Sequence, residues 1–423
     1  MPPLSAEKLK EYSVYQGNTL GCTEEQFGKE ASEIHCLTRR QSVGLTIVAE
    51  SGFISCFAVL YVVWIILRNA LAHRRRARST KTRSEWRLVR EPMEVFMLSL
   101  FAADFLQGLG AILDIKWVST GNVAVGSFCT AQGLPLSPLY THNPRTEQNT
   151  GVIQQLGECG VAMSTLLIAV HTFLMIRLNR THARPSILGM VVSVGAVALT
   201  WIYIVVIIGV GFGVYKGRYY MEPVPYWCWI GDSTKSNKSF RMAGEYVWFW
   251  IALGTSFLLY PILTLWSRGN INFSDHSIWR MSFLSRRNNT EDISGRPKPW
   301  VMLAYPIVYS ISVLPLSIVR WINFSDKDAL GNSDAAVTMV VECIYRLSGF
   351  VNVILLLSTR PNSGLFGRYD DERTPVPMLH SGSNDSLDSH SPKANGVPLE
   401  NVNGRTRVRA PSFGGDADSA VSP

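Results

Sequence analysis

The sequence predicts an all-α fold, a bundle of seven transmembrane helices with the N-terminus outside and a disordered cytoplasmic tail. Three observations carry that expectation. Only 17% of the 423 residues are charged and 47% are hydrophobic, whereas an ordinary soluble domain is about 25% charged. The apolar residues fall into seven long blocks rather than into 3.6-period stripes, and about 18 such residues suffice for a helix to cross the hydrocarbon core. The basic residues gather between the blocks, where a juxtamembrane position accounts for the net charge of +8 and nucleic acid is not needed to explain it.

The first forty residues are polar, with no charged-then-apolar leader, so the first block is expected to direct insertion itself. The spans run from Gln41 to Leu67, Pro92 to Trp117, Val152 to Leu178, Ile187 to Val214, Gly244 to Trp266, Trp300 to Ile322 and Ala335 to Ser358. The stretch from Arg68 to Arg90 holds nine Lys or Arg and reads as a cytoplasmic loop, which places the N-terminus outside. Its part from Arg74 to Arg90 is also a candidate surface for anionic lipids. Residues 134–150 contain three prolines and no periodicity, and read as an irregular outer loop. Past residue 361 the chain turns to Ser, Asp, Gly, Asn and Pro, too polar to bury a core, so 361–423 reads as a disordered tail in which Ser412, after Arg407 and Arg409, suits a basophilic kinase. The domains are therefore 1–40 outside, 41–360 in the bundle and 361–423 inside.

Of the seven cysteines, Cys129 and Cys228 fall in outer loops before the third and fifth spans. A bridge between them would hold a loop over the mouth of the bundle, with two unpaired buried thiols as the alternative. Cys22 and Cys36 could form a second bridge. Asn237-Lys-Ser is a glycosylation sequon on the outer side. Ionisable residues inside a span are costly and face a cavity, a partner or a pathway. They are Glu50, Asp104, Asp114, Glu158, His171, Glu245, Arg320, Glu342 and Arg346. Glu50, Asp104, Asp114, Glu158, Glu342 and Arg346 are the candidates for a ligand pocket or a polar core. Glu342 and Arg346 stand i,i+4 in the favourable order for an intrahelical pair near Asp104. Pro261, Pro306 and Pro315 each remove a helix hydrogen bond and permit a bend. No metal or cofactor is expected: there is no Cys/His cluster, no phosphate-binding Gly loop and no catalytic triad. The last span has no lysine for a retinal Schiff base. The chain is expected not to be an enzyme.

Four motifs in order then carry a likeness. Phe128-Cys-Thr-Ala-Gln-Gly133 leading into Gln154-Gln-Leu-Gly-Glu158, Ile168-Ala-Val-His-Thr-Phe173, Tyr305-Pro-Ile-Val-Tyr309 with Leu314-Pro-Leu-Ser-Ile-Val-Arg320, and Gly349 through Pro361 resemble the fungal G-protein-coupled glucose- and nutrient-sensing receptors, which are similar to slime-mould cyclic-AMP receptors. The resemblance covers about residues 42 to 361. It implies a plasma-membrane receptor for an extracellular small molecule such as a sugar or a metabolite. Coupling would be to a heterotrimeric G protein through its Gα subunit, toward adenylate cyclase and cyclic AMP. The inner end of the third span lacks the acid-Arg-aromatic triplet of rhodopsin-like receptors, which makes His171, Arg177, Arg180, Pro306 and Pro315 the switch or coupling candidates. The competing class is a seven-span transporter or channel, with Asp104, Glu342 and Arg346 in a solute or proton path.

Overall fold

The structure is a computed structural model that describes residues 22, 34–80, 89, 91–125, 128–129, 152–177, 187–214, 220–224, 226–231, 235–268, 270–273, 281–283, 299–325, 334–359 and 365. Arg180, Ser412, the loop 134–150, and most of the segments 1–40 and 361–423 lie outside them, as do the side chains beyond Arg75 in the first basic stretch, apart from Val89.

Helices dominate. α1 (Arg39–Thr80) begins with a capping box, since the Thr38 amide donates to Gln41 Oε1 at 2.8 Å and the Gln41 amide to Thr38 Oγ1 at 3.3 Å. It runs 42 residues, about 63 Å. The expected loop at Arg68 is thus corrected: the helix continues through the basic stretch to Thr80, because Arg, Ala and Leu there are strong helix formers. α2 (Pro92–Leu113) starts on a proline that needs no amide partner and turns at Asp114 into α3 (Ile115–Thr120). Gly121 ends α3 at φ 72°, a left-handed conformation that a side chain disfavours. α4 (Val152–Arg177) and α5 (Ile187–Val214) come next. α6 (Lys235–Arg241) passes through a π turn, Met242–Tyr246, into α7 (Val247–Ser267). α8 (Pro299–Ser325) continues through Pro306 and Pro315 without a break, and α9 (Asp334–Arg346) is separated from α10 (Ser348–Thr359) at Leu347.

Among the described residues, six helical segments are long and apolar enough to cross a membrane, and Ile307–Ile322 within α8 is a shorter apolar one. Large apolar side chains face outward along them, Phe57, Ile187, Leu188 and Leu258 among them, which suits lipid surroundings rather than water. The chain is a multi-pass helical bundle of membrane type. Its main core lies where α1, α2, α4, α7, α8, α9 and α10 meet.

The described residues also form three two-stranded antiparallel pairs. β1 (Ile34–Cys36) pairs with β2 (Asn122–Ala124), β3 (Met221–Pro223) with β4 (Cys228–Ile230), and β5 (Ile271–Phe273) with β6 (Met281–Phe283). Disulfides Cys22–Cys36 and Cys129–Cys228 hold the first two pairs at one end of the bundle. There they form a second core with Leu37, Trp117, Trp227, Trp229 and Tyr246. His35, packed edge-on against Tyr226 at 5.8 Å, belongs to this cap, and its burial lowers the imidazole pKa from 6.5 to about 4.

Glycines set how closely α1, α2 and α4 approach. A Cβ on Gly52 would meet the Gly108 carbonyl oxygen at 2.7 Å, and one on Gly157 would collide with the Gln107 backbone. Without a hydrophobic drive between helices in lipid, such close backbone contact is what packs them.

Candidate functional site

Five charged side chains meet beneath the β3–β4 hairpin. α4 supplies Glu158, the π turn Glu245, α8 Arg320, and α9 both Glu342 and Arg346, and all five are buried. Arg320 Nη1 donates to Glu158 Oε2 at 2.8 Å and also to Glu245, while Arg320 Nη2 reaches Glu158 Oε1 at 3.2 Å and Glu342 Oε2 at 3.5 Å. Arg346 Nη2 donates to Glu158 Oε1 at 2.9 Å and lies 2.5 Å from Glu342 Oε1. Glu158 is the hub, bridging both guanidinium groups and also accepting from Gln154 Nε2 at 2.9 Å.

Local structure aims these groups. A π turn widens the helix by one residue and rotates the residues after it, and here it carries Glu245 inward to Arg320. Glu342 and Arg346 share one face of α9 by their i,i+4 spacing. Three carboxylates against two guanidinium groups leave one formal negative charge. Buried charge is tolerated only when paired and hydrogen-bonded, so the set holds together as a unit and loses much if any cation is removed. Trp229 of β4 roofs it, with the Arg320 guanidinium 5.2 Å and the Arg241 guanidinium 5.0 Å from its ring centre. The Cys129–Cys228 bridge ties that strand to the segment after α3.

The break at Leu347 is built rather than frayed. Ser55 Oγ of α1 inserts into the helix ladder, donating to the Arg346 carbonyl at 2.5 Å and accepting from the Phe350 amide at 3.2 Å. Gln107 Nε2 of α2 donates to the Tyr345 carbonyl at 3.0 Å, and Arg346 Nη1 to the Gln107 carbonyl at 3.2 Å. Backbone groups freed by a kink inside a membrane need such partners. Toward the other end of the bundle, Asp104 accepts from Asn352 Nδ2 at 2.9 Å and from Ser348 Oγ at 3.5 Å. A cavity of about 20 Å3, room for one water molecule, lies nearby between Tyr309, Ser312, Tyr345 and Asn352.

These placements sort the residues that the sequence singled out. Glu158, Glu342 and Arg346 meet in the cluster. Asp114 is buried at the α2–α3 junction and adds negative charge near Arg346. Asp104 is buried and its partners are Asn352 and Ser348, while the intrahelical pair expected of Glu342 and Arg346 forms and is joined by Glu158. Glu50 requires a further correction, since it is exposed on the face of α1 turned away from the interior. Its helix packs Val48, Ala49 and Ser51 inward instead. His171 is half-buried with its ring 5.2 Å from that of Phe96, and Arg177 closes α4. Pro315 is half-buried in α8, and the side chains of Pro306 and Asn237 lie outside the described ones. Glu245 and Arg320 are legible in the sequence as ionisable residues inside spans but not as partners. Ser55, Gln107 and Trp229 carry no signal there beyond polarity or size.

Among the described residues, no group of three or more His, Cys, Asp or Glu could hold a metal ion. No family model and no curated protein matches the chain.

Proposed function

We propose that the chain is a seven-span receptor of the plasma membrane, with its N-terminus and both disulfides outside. It senses an extracellular small molecule, a nutrient such as a sugar or a metabolite, and signals through a heterotrimeric G protein toward adenylate cyclase. The seventh span is α8, whose 27 residues suffice for the hydrocarbon core. The reading is carried by one observation. The ion network joins α4, the π turn, α8 and α9 directly beneath a disulfide-tethered hairpin. A buried set with three carboxylates for two guanidinium groups has more than one pairing of anions with cations, and each pairing fixes a different relative placement of the helices. In the arrangement seen here the network is sealed. A ligand entering under the hairpin acts only by favouring a rearranged network that binds the G protein better, because it shifts an equilibrium by no more than its difference in affinity for the two states. The order of sequence motifs on successive spans supports the same reading.

The test is nucleotide exchange on Gα with the purified receptor in nanodiscs, against a panel of sugars and small metabolites. Stimulated exchange that is abolished by Glu245→Gln supports the proposal. Absence of exchange across the panel, together with solute flux in proteoliposomes that Asp104→Asn eliminates, replaces it with a transporter.

A further inference from the structure

The small cavity beside Tyr309 and Tyr345 is walled by groups that the rest of the bundle leaves unsatisfied. Tyr309 of α8 and Tyr345 of α9 both line it, both are buried, at 6% and 0% exposure, and neither hydroxyl has a hydrogen-bond partner among the described residues. The two tyrosines are close enough to interact electrostatically, yet they do not bond to each other. A phenol hydroxyl is donor and acceptor at once, and burying it unpaired carries the desolvation penalty in full. Two such hydroxyls on one void call for a molecule between them.

The size and chemistry of the void limit what that molecule is. Its volume of about 20 Å3 exceeds the roughly 10–15 Å3 that one water molecule needs and leaves no room for an organic solute. Ser312 Oγ, in the wall, donates to the Val308 carbonyl at 2.9 Å. Ser348 Oγ and Asn352 Nδ2, also of wall residues, are turned to Asp104. With their hydrogens committed, the two serine oxygens keep lone pairs to accept, and so does Asn352 Oδ1. Asp104 does not line the cavity, and its two oxygens are taken by Ser348 and Asn352. A bare cation in the void would therefore meet neutral oxygens alone, without the anion that a buried charge requires. Water suits the wall better, because it accepts from two tyrosine donors and donates to two of the three acceptors.

We propose that this cavity is a binding site for a single water molecule, held by the hydroxyls of Tyr309 and Tyr345 and donating toward Ser348 and Asn352. So held, it joins α8 and α9 to Asp104 of α2 by way of two side chains of α10. Tyr345 also interacts electrostatically with Glu158, Glu245 and Arg320, so the water stands one side chain from the ion cluster and one side chain from Asp104. The site does not depend on the receptor reading, since the wall is the same whatever the chain transmits.

The experiment is an experimental structure of the full chain at a resolution that shows ordered water, with melting temperatures of variants in detergent. One density peak is expected within hydrogen-bond distance of both tyrosine hydroxyls, and it is expected to vanish in Tyr309→Phe/Tyr345→Phe. Val313→Ile adds a methyl group to the wall. In wild type it is expected to lower the melting temperature by a few degrees, because displacing an ordered water strands its partners. In the double phenylalanine background no hydroxyl is left to strand, and the same methyl group is expected to be neutral or stabilising. Exchanging sodium for choline at constant ionic strength is expected to change nothing. A void without density in an otherwise ordered map, an equal effect of Val313→Ile in both backgrounds, or a melting temperature that rises with sodium would each overturn the proposal.

Discussion

α4 and α5 are nearly the same length, 26 and 28 residues, yet the bundle treats them in opposite ways. α4 carries Gln154, Gln155, Glu158 and Ser164, and these are among its most buried residues. α5 is apolar almost throughout, and its buried residues are only Ser193, Thr200, Ile204, Ile208 and Gly211. In water the apolar helix would be the interior one. In lipid the hydrocarbon solvates leucine and valine as well as a protein core does, so polarity and small size decide what goes inside.

The contrast can be broken in three places. The largest effect is expected for Arg346→Leu, which leaves Glu158 and Glu342 facing each other with one cation fewer. Removing one partner of a buried ion pair costs about 3–5 kcal/mol, so thermal unfolding in detergent should shift by many degrees, with partial recovery in the double variant Arg346→Leu/Glu158→Gln. An unchanged melting temperature in the single variant would mean that the cluster is hydrated and open. Gly157→Val comes next. Its Cβ would occupy the Gln107 backbone, so α2 and α4 must separate, at a cost of about 1–3 kcal/mol for overpacking. A well-formed monodisperse peak on size exclusion, with wild-type stability, would show that the two helices are not clamped there. The smallest belongs to α5. Trp201 Nε1 donates to Ser99 Oγ at 3.1 Å, and Ser99 in turn meets Ser164 Oγ at 3.0 Å. Trp201→Phe should cost about 1 kcal/mol. A loss as large as that of Arg346→Leu would place α5 inside the cooperative unit, not at its edge.

How much is legible in the sequence differs by kind of residue. The helix positions come from length alone: α5 runs from Ile187 to Val214, the bounds expected from its hydrophobic block. The Arg68 stretch reads as loop and folds as helix because charge marks the end of a membrane span but not the end of a helix. Glu158, Glu342 and Arg346 stand out because an ionisable residue within a span is conspicuous in any reading. Glu50 stands out for the same reason, yet its face is not legible. With Val43, Ile47, Phe53, Ile54 and Phe57 around it, nothing in an apolar helix tells which side is protein and which is lipid. The Glu342–Arg346 pair is legible from its i,i+4 spacing, but the second partner of Arg346, Glu158 of α4, is beyond reach, as is the break at Leu347, which depends on Ser55, almost three hundred residues away, entering the ladder.

The sequence by itself determined that this chain lies in a membrane, where most of its apolar spans lie and which few residues are too polar to meet lipid unaided. Those facts rest on the transfer energy of each side chain, a local quantity. Only the tertiary structure decided that Glu158 joins two arginines from different helices, that Asp104 turns to Asn352, and that Glu50 looks outward. Partnership depends on helix rotation and on where glycines let backbones approach, and neither is written in the hydropathy of any one span.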